Sequence, residues 1–278
     1  MNQAAKDLAS HDIADARLEA EILLAHLLKI DRTVLYVNST RKLSDNQALA
    51  YSELVRRRVN HEPTAYITGH KEFFGLDFEV NHHTLIPRPD TELLVEKAIE
   101  LVKNLPQPCL IADIGTGCCA IAIALATHLP TARIYATDIS AAALEVARYN
   151  CRRYNLEDRI TLLQGNLLEP LTEPVHIIVA NLPYIKESEL AGIMPEISKF
   201  EPHLALSGGI DGLQIIKKLF SQITGRLIAG GTVLLEIGYD QGPAIASTVN
   251  QCLPGARVSI MPDLSGLDRV AIILTTES

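Results

Sequence analysis

From residue 109 to residue 274 short apolar runs alternate with stretches whose apolar residues recur every three or four positions, and this alternation restricts the folds available to the chain. The runs at 109–114, 133–138, 160–163, 175–180, 232–237, 256–261 and 269–274 read as seven strands. The most regular helical patterns between them are 120–129, 141–154 and 213–227. Strands separated by helices pair in parallel and are buried on both faces. The loop 262–268 is too short for a helical crossover, so the last two strands are expected to run antiparallel. The expected class is α/β, with a mostly parallel seven-stranded sheet.

The first part of the chain has a different pattern. Ile13, Ala16, Ala20, Leu23, Leu24, Leu27 and Leu28 lie on one helical face, with Ser10 as the expected cap. Ser44 and Gln47 have the spacing of a capping box, which opens a second helix running to Val59. Arg56, Arg57 and Arg58 near its end read as a solvated helix terminus that favours the dipole, rather than as a nucleic-acid patch. Residues 72–86 alternate around Leu76, Phe78 and Val80 and read as a hairpin joining two domains. His82 and His83 would face opposite ways on a strand, which argues against metal ligation. After Pro87 and Pro89, the acids Asp90 and Glu92 open a helix that continues through Leu94, Ala98 and Leu101. The expected organisation is a helical domain over 1–70, a hairpin linker over 71–88 and an α/β domain over 89–278.

Charge and cysteine usage narrow the function classes. The net charge is −8, with nine basic and nine acidic residues in 1–70 but sixteen against twenty-four in the remainder. That sign argues against binding through a phosphate backbone, so direct contact with nucleic acid is not expected. No basic cluster followed by an apolar core opens the chain, and the apolar run 109–129 is broken by Asp113, Gly115 and Gly117. Neither a secretory signal nor a membrane span is therefore expected. The cysteines (Cys109, Cys118, Cys119, Cys151 and Cys252) are odd in number and form no C-x-x-C pair, so neither a disulfide framework nor a metal site is expected. A cytoplasmic location is expected on the same grounds.

The strand at 109–114 runs into Gly115, Thr116, Gly117, Cys118 and Cys119 and then into an apolar helix. Glycines there permit a tight turn and close approach of a ligand. A dinucleotide fingerprint formally survives with Ala120 in third position, but Asp113 would repel a pyrophosphate and suits an ammonium group better. Asp138 ends the next strand, where a carboxylate can accept both hydroxyls of a ribose. A nucleoside with an amino-acid tail matches both acids, and that ligand is S-adenosyl-L-methionine, with S-adenosyl-L-homocysteine as the product. The seven-strand pattern resembles the Rossmann-like class I methyltransferase fold. Cys118 and Cys119 are read as small packing residues rather than nucleophiles, and the backbone can accommodate Cys119 in the loop if that residue needs no positive φ.

The fourth strand ends in Asn181, Leu182, Pro183 and Tyr184, at the edge of the expected crevice. A planar nitrogen, whether of a carboxamide or an adenine amine, is a poor nucleophile because its lone pair is delocalised. If Asn181 Oδ1 and the Leu182 carbonyl each accept one of its hydrogens, the lone pair turns toward the methyl group. Pro183 would stiffen this turn, and Tyr184 would pack on the acceptor. An ordinary strand-ending turn uses the same residue types, so the assignment rests on position in the fold.

The stretches 63–78 and 85–92 closely resemble the HemK/PrmC-type glutamine methyltransferases of peptide-chain release factors. So do 113–117, 181–184, 200–202 and 263–269, and the likeness covers nearly the whole chain. It implies methylation of the side-chain nitrogen of the glutamine in the Gly-Gly-Gln loop of release factors, which would be the protein partners. It also implies cofactor contacts at Gly115 to Cys119, Asp138, Asn166, Leu167 and Asn181, catalytic and acceptor contacts at Asn181 to Tyr184, and a substrate-recognition role for the N-terminal helices. The chain departs from the family pattern at Leu182, Cys119 and Asn166, where proline, glycine and aspartate are usual. Competing readings are a glutamine methyltransferase of a ribosomal protein, an adenine methyltransferase acting on rRNA or DNA, and a cofactor-binding protein without turnover.

Overall fold

The computed structural model describes residues 1–37, 42–105 and 107–276. The chain divides into two compact units: Met1–His70 with Met194–Phe200, and Lys71–Ile193 with Glu201–Ser278.

The first unit contains α1 (Asn2–Ala9), α2 (Ala16–Leu28), α3 (Arg32–Val37), α4 (Asp45–Val59) and α5 (Thr64–Thr68). Its core gathers Leu8, Ala20, Leu23, Leu24, Tyr51, Val55 and Ile67. The Tyr51 hydroxyl reaches across to donate to the Ala20 carbonyl at 2.8 Å. Ser44 and Gln47 form the expected capping box. Ser10 does not cap the next helix: it ends α1, and its hydroxyl donates back to Asp7. Asp12 and Asp15 then take left-handed backbone, so α2 starts only at Ala16. The arginine triplet also differs from expectation. Arg58 is 5% exposed and holds Glu19 at 3.3 Å and Glu196 at 2.7 Å, while Arg56 and Arg57 pair with Glu53 and Glu62. The end of α4 is therefore solvated at Arg56 and partly so at Arg57, as expected, but carries a buried, ion-paired guanidinium at Arg58.

The second unit opens with the hairpin β1 (His70–Phe73) and β2 (Leu76–Glu79). Its two turn residues, Phe74 and Gly75, both have positive φ, which suits the twist of a two-residue hairpin. β2 is tied to the following α/β layer by Asn150, which bonds both the N–H and the carbonyl of Glu79. His82 and His83 lie in a turn beyond β2 with ring centroids 3.9 Å apart and planes tilted by 52°, side by side rather than opposed as expected for a strand.

After α6 (Thr91–Val102) come β3 (Leu110–Ile114), α7 (Ala120–His128), β4 (Arg133–Asp138), α8 (Ala141–Arg153), β5 (Ile160–Gln164) and β6 (Val175–Ala180). Short 3-10 turns and α9 (Pro195–Phe200), which belongs to the first unit, precede α10 (Gln214–Ser221), β7 (Leu227–Glu236), α11 (Gly242–Cys252), β8 (Arg257–Pro262) and β9 (Asp268–Leu274). The sheet order is β5-β4-β3-β6-β7-β9-β8, with β9 antiparallel to both neighbours and the other pairs parallel. Both the class and the antiparallel ending match the sequence reading. The helix expected over 213–227 stops at Ser221, because Gly225 takes positive φ and the chain re-enters the sheet at Leu227. Among the described residues no helix is long and apolar enough to cross a membrane.

Candidate active site

A cleft opens at the carboxyl ends of β3, β4 and β6. β4 and β5 extend to one side of β3, and β6 and β7 to the other, so the loops leaving β3 and β6 diverge. Open parallel sheets bind their ligands at such a reversal.

The loop after β3 is pinned to the end of β4. The N–H groups of Gly115 and Thr116 both donate to the Thr137 carbonyl at 2.9 Å. Gly115 and Gly117 have φ of +73° and +55°. A Cβ on Gly115 would sit 3.2 Å from Leu182 Cδ2, whereas one on Gly117 would meet nothing, so the loop is tight against β6 and open toward the cleft at Gly117. Cys119 also has a positive φ, +69°, so the loop forms here although the condition set on that residue is not met. It occupies a left-handed position that glycine would favour, with its Sγ buried 3.6 Å from that of Cys151. Burial pushes the Cys118 thiol up to about 12, and contact with Cys151 followed by burial raises that of Cys119. Both are neutral packing residues.

Asp113 lies under this loop and is fully buried, not in the cleft wall. Its Oδ2 accepts from Thr116 Oγ1 at 2.6 Å and from the Ala122 N–H at 3.2 Å. Its Oδ1 is buried with no hydrogen-bond partner. Burial pushes this carboxyl up to about 7, and the charge of Asp138 adds to the effect. Asp138 lines the cleft, accepting from the Gly117 N–H on one oxygen and the Ser140 N–H on the other, each at 2.9 Å. Burial raises its pKa as well, against the pull of these backbone donors. Neither acid has an ion-pair partner among the described residues.

Asn166 and Leu167 complete this side of the wall. The Leu167 carbonyl accepts from Thr137 Oγ1 at 2.9 Å, and Asn166 Nδ2 is turned to Glu169 at 3.2 Å. Across the cleft, β6 delivers Asn181, Leu182 and Pro183 to the wall. Tyr184 is turned away: its hydroxyl donates to Glu236 Oε1 at 3.3 Å and its carbonyl accepts from Gln241 Nε2 at 3.0 Å. Asn181 Nδ2 donates to Thr91 Oγ1 at 3.1 Å, and that hydroxyl donates to Glu236 Oε2 at 2.6 Å. Burial raises the pKa of Glu236, opposed by the Thr91 hydroxyl, the Arg269 guanidinium and the Tyr184 hydroxyl.

The fold thus gathers Gly115, Thr116, Gly117, Cys118, Asp138, Asn166, Leu167, Asn181, Leu182 and Pro183 around one cleft, and leaves Asp113, Cys119 and Tyr184 behind its wall. Thr91 and Glu236 were not recognised as part of this region from the sequence. A carboxylate closing the apolar run 233–236 is the signal that was available.

Residues 1–69 match the PrmC N-terminal domain, and residues 91–209 match the methyltransferase small domain. A release factor glutamine methyltransferase of Moorella thermoacetica is 41% identical over 273 residues, which is 97% of this chain and 95% of that protein. One from Koribacter versatilis is 38% identical over 275 residues, 98% of this chain and 95% of that protein. A solved methyltransferase from Pyrococcus furiosus shares the fold, with a TM-score of 0.53, 21% identity and coverage of 80% of this chain and 98% of that one. A doubly wound sheet with its cleft at the reversal, and near full-length identity to these relatives, make this chain a methyltransferase of the release factor glutamine methyltransferase family.

Proposed function

We propose that this protein methylates the side-chain amide nitrogen of the Gly-Gly-Gln glutamine of peptide-chain release factors, using S-adenosyl-L-methionine. The observation that carries the reading is that the acceptor segment Asn181–Pro183 and the acid-lined loop Gly115–Gly117 with Asp138 share one cleft.

The residues present suit that cofactor. Asp113 and Asp138 leave negative charge with no paired cation, and one buried oxygen of Asp113 has no donor. A ligand bearing an ammonium and a sulfonium supplies the missing positive charge, though not a donor to the buried Asp113 oxygen. Asp138 retains lone pairs for ribose hydroxyls, Gly117 leaves room for the amino-acid tail, and half-exposed Ile139 offers an apolar face for a base. Asp113 then acts through the loop by charge and by holding Thr116, without touching the ligand. Once bound, S-adenosyl-L-methionine supplies an electrophilic methyl group and departs as S-adenosyl-L-homocysteine.

The work left to the protein is orientation. Asn181 Oδ1 and the Leu182 carbonyl accept the two glutamine N–H hydrogens and turn the nitrogen lone pair toward the donor, while Pro183 holds the turn rigid. Fixing two reactants in this way contributes on the order of 7–11 kcal/mol at best. The nitrogen becomes acidic as its new bond forms, so its proton needs no strong base. The N-terminal helical domain (1–70) serves substrate recognition, joined through a hairpin linker (71–88) to the catalytic domain (89–278). Incubation with an unmethylated release factor and the cofactor, followed by tandem mass spectrometry, should find one methyl group on the glutamine of Gly-Gly-Gln. A methyl group found only on ribosomal protein or rRNA would replace this substrate with another.

A further inference from the structure

We infer that Thr91 and Glu236 are positioning residues that fix which way the Asn181 carboxamide faces. The inference rests on the proposed role of Asn181 as acceptor clamp and deepens it. A primary amide has an oxygen on one side and an NH2 on the other, nearly equal in size, and only one orientation presents an oxygen to an incoming N–H. In an open cleft the two orientations would interconvert freely, and half the population would present a donor to a donor.

Hydrogen bonds that run from the cleft wall at Thr91 back to Glu236 remove that ambiguity. Thr91 is the first residue of α6 and Glu236 the last of β7; they are 4% and 2% exposed. The Thr91 hydroxyl has a single proton, and Glu236 Oε2 takes it at 2.6 Å. What Thr91 Oγ1 then offers Asn181 is a lone pair, which only the Nδ2 side of the amide can use, at 3.1 Å. Turning the amide over would set its oxygen against that lone pair in a buried place with no proton between them, an arrangement that costs a full unsatisfied contact. Oδ1 is therefore left pointing away from Thr91. The other oxygen of Glu236 receives the Tyr184 hydroxyl. One carboxylate thus ties down both ends of the Asn181–Tyr184 segment, and Arg269, itself bridged to Asp90 and Asp263, supports its charge.

The substitutions that test this keep the shape of the site. Thr91→Val removes the hydroxyl and keeps the branching. Glu236→Leu removes the acceptor and the charge but leaves the Thr91 and Tyr184 hydroxyls and the Arg269 guanidinium without it, so it costs stability as well. Thr91→Ser keeps the hydroxyl. With full-length protein, S-adenosyl-L-methionine and an unmethylated release factor, Thr91→Val and Glu236→Leu should each lower kcat at least about tenfold. KM for the release factor and the cofactor dissociation constant, measured well below each variant's melting temperature, should stay within about threefold. Thr91→Ser should recover most of kcat, and the double variant should be no worse than either single one, since the two residues act as one relay.

Asn181 itself provides a readout independent of turnover. Its side-chain NH2 resonance, assigned by its loss in Asn181→Ala, should show one proton exchanging with solvent about tenfold more slowly in the parent than in Thr91→Val or Glu236→Leu. Unchanged exchange, unchanged kcat in both variants, or an equal loss of kcat in Thr91→Ser would each overturn the relay. A parent protein that leaves release factors unmethylated would overturn the proposed substrate instead, and the exchange measurement would still decide the relay.

Discussion

Asp113 and Asp138 lie at the carboxyl ends of neighbouring parallel strands, one residue short of the end in the case of Asp113, and the loop after β3 bonds to both: Thr116 Oγ1 donates to Asp113 and the Gly117 N–H to Asp138. The two acids therefore shape the loop and at the same time load it with negative charge. No cation among the described residues offsets that charge. Such an arrangement disfavours the empty folded chain and favours one that holds a positively charged ligand.

Asp113→Asn separates those two effects. An unfolded aspartate titrates near 3.9, whereas in the folded chain Asp113 is pushed up to about 7. Between those values the folded chain keeps a proton that the unfolded chain has released, so the contribution is full below about pH 4 and is lost as pH rises to about 7, on the order of 4 kcal/mol in all. Asparagine keeps an acceptor for Thr116 and Ala122 and has no such titration. Thermal unfolding from pH 5 to pH 8 should show the parent losing stability relative to Asp113→Asn, which should melt several degrees higher at pH 8. Cofactor affinity should move the opposite way, falling several-fold in the variant. Parallel melting curves across this range would contradict the assignment of the buried charge.

Asp138→Ala addresses the ribose role. The lost hydrogen bonds to a charged acceptor are each worth about 1.5–3 kcal/mol, and the Gly117 N–H loses its anchor as well. The dissociation constant for S-adenosyl-L-methionine should rise tenfold or more by calorimetry. An unaltered constant would remove Asp138 from the binding site.

The seven strands, their mostly parallel pairing and the antiparallel ending were readable from this sequence because most strands are apolar runs separated by helix patterns, and periodicity reports burial directly; the strand order was not. The capping box at Ser44 was readable because its chemistry is local. The failures were of two kinds. Ser10, Cys119 and the end of α10 depend on backbone conformations set by neighbours, and residue type alone does not reveal that a cysteine sits at φ +69° or that two aspartates interrupt a helix. Arg58, Thr91, Glu236 and Tyr184 depend on partners 39 to 145 positions away in sequence. Their side chains are polar in a sequence and buried in a fold, and only the tertiary arrangement says which donor meets which acceptor. Asp113 was read from the sequence as a carboxylate for a ligand's ammonium group, yet its place under the loop and behind the cleft wall, with one oxygen unpartnered, required the structure.

Arg58 tests the first unit by itself. Its guanidinium links Glu19 and Glu196 while nearly fully buried, and removing one member of a buried ion pair is costly because it leaves charge behind. Both glutamates keep some access to water, which reduces that cost. Arg58→Met should destabilise by roughly 2 kcal/mol in denaturant titration, whereas Arg56→Ala, which breaks an exposed pair, should cost under about 1 kcal/mol. Equal effects would show that burial of Arg58 carries no energetic weight.

The most direct test of the central claim compares the parent with Asn181→Ala in one experiment, reading methyl transfer to a release factor by tandem mass spectrometry and cofactor binding by calorimetry. The account predicts a single methyl group on the Gly-Gly-Gln glutamine with the parent, a loss of transfer of about a hundredfold or more with Asn181→Ala, and cofactor affinity within a few-fold of the parent. Transfer by Asn181→Ala at the parent's rate would contradict the clamp and with it the proposed mechanism.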